Sequence, residues 1–235
     1  MEPQLRSSTV IYAEEKDIQE KWLIDNIIPV PPAVVMLVGE ASAGKTTCSY
    51  AINKSLANIG FNTLYMDAET PPVVRARLMG MTGTDPRWYM MIDFMNTLAN
   101  AGWRQDLVNH CRLQHITLLT IDPLSLLWPS KDENDNAFAD MQVSMLKRMA
   151  QDGNMVVMFL WNMGQGGDAV PKKFRARGAT ARVDRSDVVI NLSNIVGLRR
   201  LEIVKSRYSN LDYVADMKLM NHTMIVTKAK TGGKQ

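Results

Sequence analysis

Cysteine is nearly absent: Cys48 and Cys111 are the only two. Two are too few for a disulfide framework, and their spacing suits no metal site, so a reducing, cytoplasmic setting is expected. Histidine is scarce as well, and His110, His115 and His222 form no ligand constellation. No apolar run approaches the roughly 20 residues that a membrane helix needs. Residues 1–16 are acidic and polar, unlike the basic and then apolar start of a signal peptide, so no leader is expected. There is no internal repeat, no low-complexity tract and no clear linker. The net charge of +3 is too small to indicate a nucleic-acid partner by itself.

What is present suits one α/β domain. The 235 residues, 46% hydrophobic and 22% charged, can bury a sizeable core. Charge is uneven along the chain. Lys172, Lys173, Arg175, Arg177, Arg182 and Arg185 form a cationic stretch opposed only by Asp184, and Lys228, Lys230 and Lys234 follow near the end. Such a run is either a phosphate-binding patch or a solvated face.

Residues 1–30 read as an arm with a short amphipathic helix over 18–28, stopped by Pro29-Val30-Pro31-Pro32, since proline cannot continue a helix. Residues 31–228 read as the main domain and 229–235 as a basic flexible tail. Unbroken apolar runs at 33–38, 116–121 and 155–160, with a shorter one at 63–66, predict strands buried on both faces. A further strand is expected over 87–94, and helices over 45–58, 73–79, 98–113 and 138–150. Four short β-like runs follow, at 188–192, 201–205, 213–219 and 224–227. Strands alternating with helices, and then strands alone, predict a mostly parallel central sheet with helices on both faces and an antiparallel C-terminal extension. That arrangement resembles the RecA-like core of a P-loop NTPase.

Gly39-Glu40-Ala41-Ser42-Ala43-Gly44-Lys45-Thr46 matches the full phosphate-loop pattern between an expected strand and an expected helix. Backbone N–H groups converge on phosphate there, helped by the helix N-terminus, and glycines keep Cβ atoms out of the way. Lys45 is expected on the β and γ phosphates of ATP, and the Thr46 hydroxyl on Mg²⁺; Thr47 closes the loop. Asp122, ending the apolar strand at 116–121, reads as a second metal-holding group. Hydrolysis also needs a base or a water-positioning group. Asp67 and Glu69 end the second strand on the same rim, and Glu69 is the choice between them.

With these residues in place, the chain resembles the RecA/DnaB-like hexameric ATPases. Within them it is similar to the small single-domain plasmid-type replicative helicases, sometimes described as RecA-like AAA proteins. The resemblance spans about 21–227. After the phosphate loop it rests on Ala68-Glu69-Thr70-Pro71, Ile121-Asp122-Pro123-Leu124 and Asp132-Glu133-Asn134-Asp135-Asn136. Arg177-Gly178-Ala179-Thr180 and Lys205-Ser206-Arg207 complete it.

The resemblance implies that Glu69 activates water. It also implies that Arg177, Lys205 and Arg207 act in a neighbouring subunit's site, where cations would stabilise charge on the γ-phosphate. Arg177 as a DNA-phosphate contact, and Lys205 and Arg207 as edge-strand charges, are the alternatives. Where relatives place a histidine or glutamine sensor after the last core strand, this chain has Trp161-Asn162. Asn162 can form the hydrogen bond but carries no charge. The loop 163–176, with Lys172, Lys173 and Arg175, falls where such rings line their channel, as single-stranded DNA binding requires.

The expectation is a ring, hexameric by resemblance, that uses ATP and Mg²⁺ to move on or unwind DNA. A recombinase or annealing ATPase and a regulatory ATPase with protein partners are the other two readings.

Overall fold

A computed structural model describes residues 22–25, 27–92, 97–130, 132, 134–162, 180–195, 198–208, 212–220 and 223–232. It opens on an antiparallel pair, β1 (Trp22–Ile24) and β2 (Ile28–Pro29). This corrects the helix expected over 18–28 where it is described; residues 18–21 and 26 lie outside the described residues. Pro29, Pro31 and Pro32 hold the chain extended, and Ile27 and Ile28 are buried in a core cluster instead of forming one stripe of a helix.

Strand β3 (Ala33–Gly39) is buried along its whole length. Its side chains alternate between two cores, as the period of a strand requires. Val34, Met36 and Val38 enter one cluster, and Val35 and Leu37 enter the other. Next come α1 (Lys45–Asn58), β4 (Asn62–Asp67), α2 (Pro72–Thr82) and β5 (Trp88–Ile92). The helix expected over 98–113 is divided: a 3-10 turn at Thr97–Ala99 precedes α3 (Ala101–Leu113). Asn100 separates them, its side chain accepting from the Trp103 N–H at 3.1 Å as an N-cap does.

Then follow β6 (Ile116–Asp122), the single-turn α4 (Leu124–Leu127), α5 (Asn136–Gly153) and β7 (Val156–Asn162). A short helix α6 (Ala181–Arg185) leads into β8 (Val188–Ile195), β9 (Leu198–Ser206), β10 (Asp212–Met220) and β11 (Thr223–Gly232). Because β11 reaches Gly232, residues 229–232 of the expected tail form the end of an edge strand. The Asp132-to-Asn136 motif has a structural role: the Asp135 carboxylate caps α5, accepting from the N–H groups of Ala137 and Phe138 at 2.9 and 3.0 Å.

The nine-stranded sheet runs β11-β10-β9-β8-β3-β7-β6-β4-β5. Pairing is parallel from β8 to β5 and antiparallel from β8 outward to β11. This is the mostly parallel α/β architecture with an antiparallel C-terminal extension that the pattern predicts. Cys48, Ile52 and Leu56 of α1 pack on one face; α3 and α5 pack on the other through Leu107, Val108, Val143 and Leu146. Trp88 and Trp128 are buried, as packing residues should be. Among the described residues, no helix is long and apolar enough to cross a membrane.

Candidate functional site

Parallel strands deliver their carboxyl ends to one rim. Gly39 of β3 stands beside Asn162 of β7 and Leu192 of β8, and Asp67 of β4 stands beside Asp122 of β6. The loop 40–44 turns from that rim into α1. Ser42 and Gly44 both take positive φ, 64° and 93°, which curls the backbone and favours glycine at 44. Gly39 is demanded by the sheet as well: a Cβ there would lie 2.5 Å from the Leu192 carbonyl oxygen. Helix α1 has no side-chain N-cap and no acidic residue in its first turn. Its first N–H groups and the positive end of its dipole therefore face the loop, as an anion site requires.

Lys45 folds back over this loop, and its Nζ donates to the carbonyls of Gly39 and Glu40 at 3.0 and 2.9 Å. Burial lowers its pKa, with Asp122 and Glu69 acting in the opposite direction. The Thr46 hydroxyl donates to Asp122 Oδ2 at 2.9 Å, and the Tyr65 hydroxyl donates to the same oxygen at 2.6 Å. Asp122 is only 4% exposed. Burial pushes its pKa up to about 6, against the two hydrogen bonds, and Asp67 and Glu69 push it further in the same direction. A desolvated carboxylate touching a threonine hydroxyl is a fitting cradle for a divalent cation. Among the described residues, no group of three or more His, Cys, Asp or Glu could hold a metal. A cation at Thr46 and Asp122 would therefore complete its shell with phosphate and water oxygens, the habit of Mg²⁺.

Asp67 and Glu69 have different roles in the fold. The Asp67 side chain is fully enclosed and ion-paired to Arg75 Nε at 3.0 Å. Its Oδ2 also accepts from the Tyr50 hydroxyl at 2.8 Å, and its Oδ1 accepts from the N–H groups of Thr70 and Glu69 at 2.9 and 3.3 Å. Its lone pairs build the turn that carries Glu69 to the rim. Glu69 is exposed and lies near enough to Lys45 and Asp122 to act on both electrostatically. Asn162 is exposed at the end of β7 on the same rim.

Other sequence candidates fall elsewhere. Lys172, Lys173, Arg175 and Arg177 lie outside the described residues. Lys205 and Arg207 stand at the far end of the sheet from the phosphate loop: Val189 pairs with Lys205 at the start of β8, whereas Leu192 is level with Gly39. The Lys205 ammonium donates to the carbonyls of Val183, Asp184 and Ser186, closing the C-terminus of α6. Arg207 is exposed, 3.7 Å from the Asp187 carboxylate. Two members of the cationic stretch are occupied internally. Arg182 is fully buried, bonded to Gln142 at 2.8 Å and stacked 4.0 Å over the Trp161 ring; Arg185 pairs with Asp140. The stretch is thus less cationic at the surface than its composition implies.

Sequence reasoning misses Tyr50, Tyr65 and Arg75, which tune and position the two strand-end aspartates. No local pattern marks them, because their partners are 17, 57 and 8 residues away. It also misses Arg199, which reaches the phosphate loop from β9.

The model of one protein family, described as the AAA domain, matches residues 2–168. That span includes the phosphate loop, Glu69, Asp122 and Asn162. A search of curated proteins finds no match.

Proposed function

The chain belongs to the AAA-domain family of P-loop ATPases, and from that premise we propose that it is a ring-forming motor that uses ATP to move on or unwind DNA. The fold is arranged for hydrolysis at one rim. The loop amides and Lys45 would bind the phosphates, Thr46 and Asp122 would hold Mg²⁺, and Glu69 would align water and take its proton. Mg²⁺ held there would neutralise charge on the phosphates. Asn162 senses the terminal phosphate from β7.

One observation carries the assembly part of this reading. Lys205 and Arg207 sit at the opposite end of the sheet from their own phosphate loop, which favours a nucleotide in another subunit over their own as the phosphate they meet. Of the two, Arg207 is the exposed one, and it joins Arg177 as the cation offered to a neighbour. Single-stranded DNA as the channel occupant is supported by the sequence resemblance and by Lys172, Lys173 and Arg175.

The test is ATP-dependent strand displacement on a forked duplex, run beside size analysis with and without ATP and single-stranded DNA. Displacement by the wild type, lost in Lys45→Ala, is the expected result. DNA-stimulated hydrolysis without displacement would replace this reading with a recombinase or annealing ATPase. Hydrolysis with no DNA binding would replace it with a regulatory ATPase.

A further inference from the structure

Arg199 and Arg200 are neighbours on β9, so their side chains leave the strand on opposite faces. Arg200 is neutralised: its Nε and Nη2 donate to the two carboxylate oxygens of Asp216 at 2.7 and 2.9 Å. Arg199 is treated differently. Its Nη1 donates to Asn194 Oδ1 at 2.8 Å, across the β8–β9 register where Asn194 faces it. Among the described residues, no carboxylate is paired with it.

The Arg199 side chain lies over the phosphate loop. A Cβ placed on Gly44 would be 2.5 Å from Arg199 Nε and 3.3 Å from its Cδ and Cζ. Gly44 is the residue from which α1 starts, with its first turn uncapped by any side chain. A guanidinium with no counter-ion among the described residues therefore rests against the positive end of a helix dipole, with Lys45 next in sequence. Like fields repel, and an anion between them relieves that repulsion.

The topology indicates which part of the anion. The rim runs β8-β3-β7-β6-β4, with Asp122 and Glu69 on β6 and beyond β4. The terminal phosphate and its metal belong on that side. The phosphates nearer the nucleoside then extend the other way, toward β8, β9 and Arg199. We propose that Arg199, oriented by Asn194, is an own-chain cation that binds the phosphates nearer the nucleoside and sets affinity for ATP and ADP alike. It differs in kind from Arg177 and Arg207, which act on a neighbour's terminal phosphate. The inference rests on the nucleotide reading of the loop and adds the nucleoside-side contact to it.

The experiment is titration of full-length protein with MgADP and with MgATP, for wild type, Arg199→Ala, Arg199→Lys, Asn194→Ala and Lys45→Ala, with steady-state ATPase kinetics on each. One lost charge-assisted contact predicts about tenfold weaker binding of both nucleotides by Arg199→Ala. KM should rise by about the same factor, with a much smaller fall in kcat. Lysine at 199 should recover part of the loss, and Asn194→Ala should lose less than Arg199→Ala. Unaltered MgADP affinity in Arg199→Ala would overturn the proposal. So would a loss confined to MgATP, which would make Arg199 a terminal-phosphate group. A urea midpoint for each nucleotide-free variant separates a folding defect from lost contact; if Arg199→Ala does not fold, Arg199→Lys and Asn194→Ala decide. Wild-type protein that binds no nucleotide would remove the nucleotide reading itself, whereas equal binding by wild type and Arg199→Ala removes only this inference.

Discussion

Asp122 is a buried carboxylate whose pKa lies near 6, above its ordinary 3.8, so in the metal-free protein its charge opposes folding. Between those two values the folded state holds more protons than the unfolded one, and stability therefore falls as pH rises. Above pH 6 the whole cost is present; below 3.8 it is gone. Metal-free Asp122→Asn should accordingly be more stable than wild type at pH 8, by up to about 3 kcal/mol, and the advantage should shrink as pH drops through 6. Urea melts at several pH values measure this, and a gap that does not change with pH would contradict it. MgATP should narrow or reverse the gap, because the wild type, which keeps the carboxylate for Mg²⁺, gains more ligand stabilisation.

The two strand-end acids separate by a similar argument. Glu69→Gln should still bind ATP but hydrolyse it on the order of a hundredfold more slowly, for loss of a positioned base. Asp67→Asn unbalances a buried ion pair with Arg75 and should cost stability, about 3 kcal/mol. Slow hydrolysis with normal stability in Asp67→Asn would exchange the two roles.

At the scale of elements, the contact between β3 and β8 is where fold and site constrain each other. Gly39 lets β8 approach so closely that a Cβ would meet the Leu192 carbonyl at 2.5 Å. That carbonyl belongs to a paired strand in the sheet interior and has little room to move. Gly39→Ala should therefore destabilise the protein by about 1–3 kcal/mol, read as a lower urea midpoint, and should weaken nucleotide binding because the loop begins at this residue. An unchanged midpoint would mean that β8 can shift. Helix α6 is held from both sides: Lys205 closes its last carbonyls, and Arg182 is anchored to Gln142 and Trp161. Trp161 immediately precedes Asn162, so the nucleotide rim and α6 are joined by packed side chains.

At the scale of the whole molecule, the proposed ring makes Arg177 a cation that each chain supplies to its neighbour's terminal phosphate. Arg177→Ala alone should hydrolyse little ATP. Mixed with Lys45→Ala, it should regain activity, since some interfaces then join an intact loop to an intact arginine; co-assembled mixtures without recovery would rule out the trans role. Replacing Lys172, Lys173 and Arg175 by alanine should weaken single-stranded DNA binding equally for all base compositions. It should also flatten the salt dependence by about 0.7 per lost phosphate contact, roughly two units in all. An unchanged slope would make that run a solvated face.

The chain order alone determined the phosphate loop, its flanking strand and helix, Asp122 at a strand end and the change from parallel to antiparallel pairing. Those features depend on neighbours in sequence: apolar runs, a glycine pattern and a regular alternation of elements. The apolar spacing at 18–28 predicts a helix where the described residues form two strands, because periodicity cannot tell a helix stripe from residues buried by a distant surface. The choice between Asp67 and Glu69 acquired its physical reason only in three dimensions. Whether a carboxylate is consumed or available depends on Tyr50 and Arg75, which converge on Asp67 through folding. The same holds for Arg182 and Arg199, similar in the sequence and opposite in placement, one enclosed under a tryptophan and the other over the phosphate loop. Charge is written in the sequence; what surrounds a charge is decided by packing.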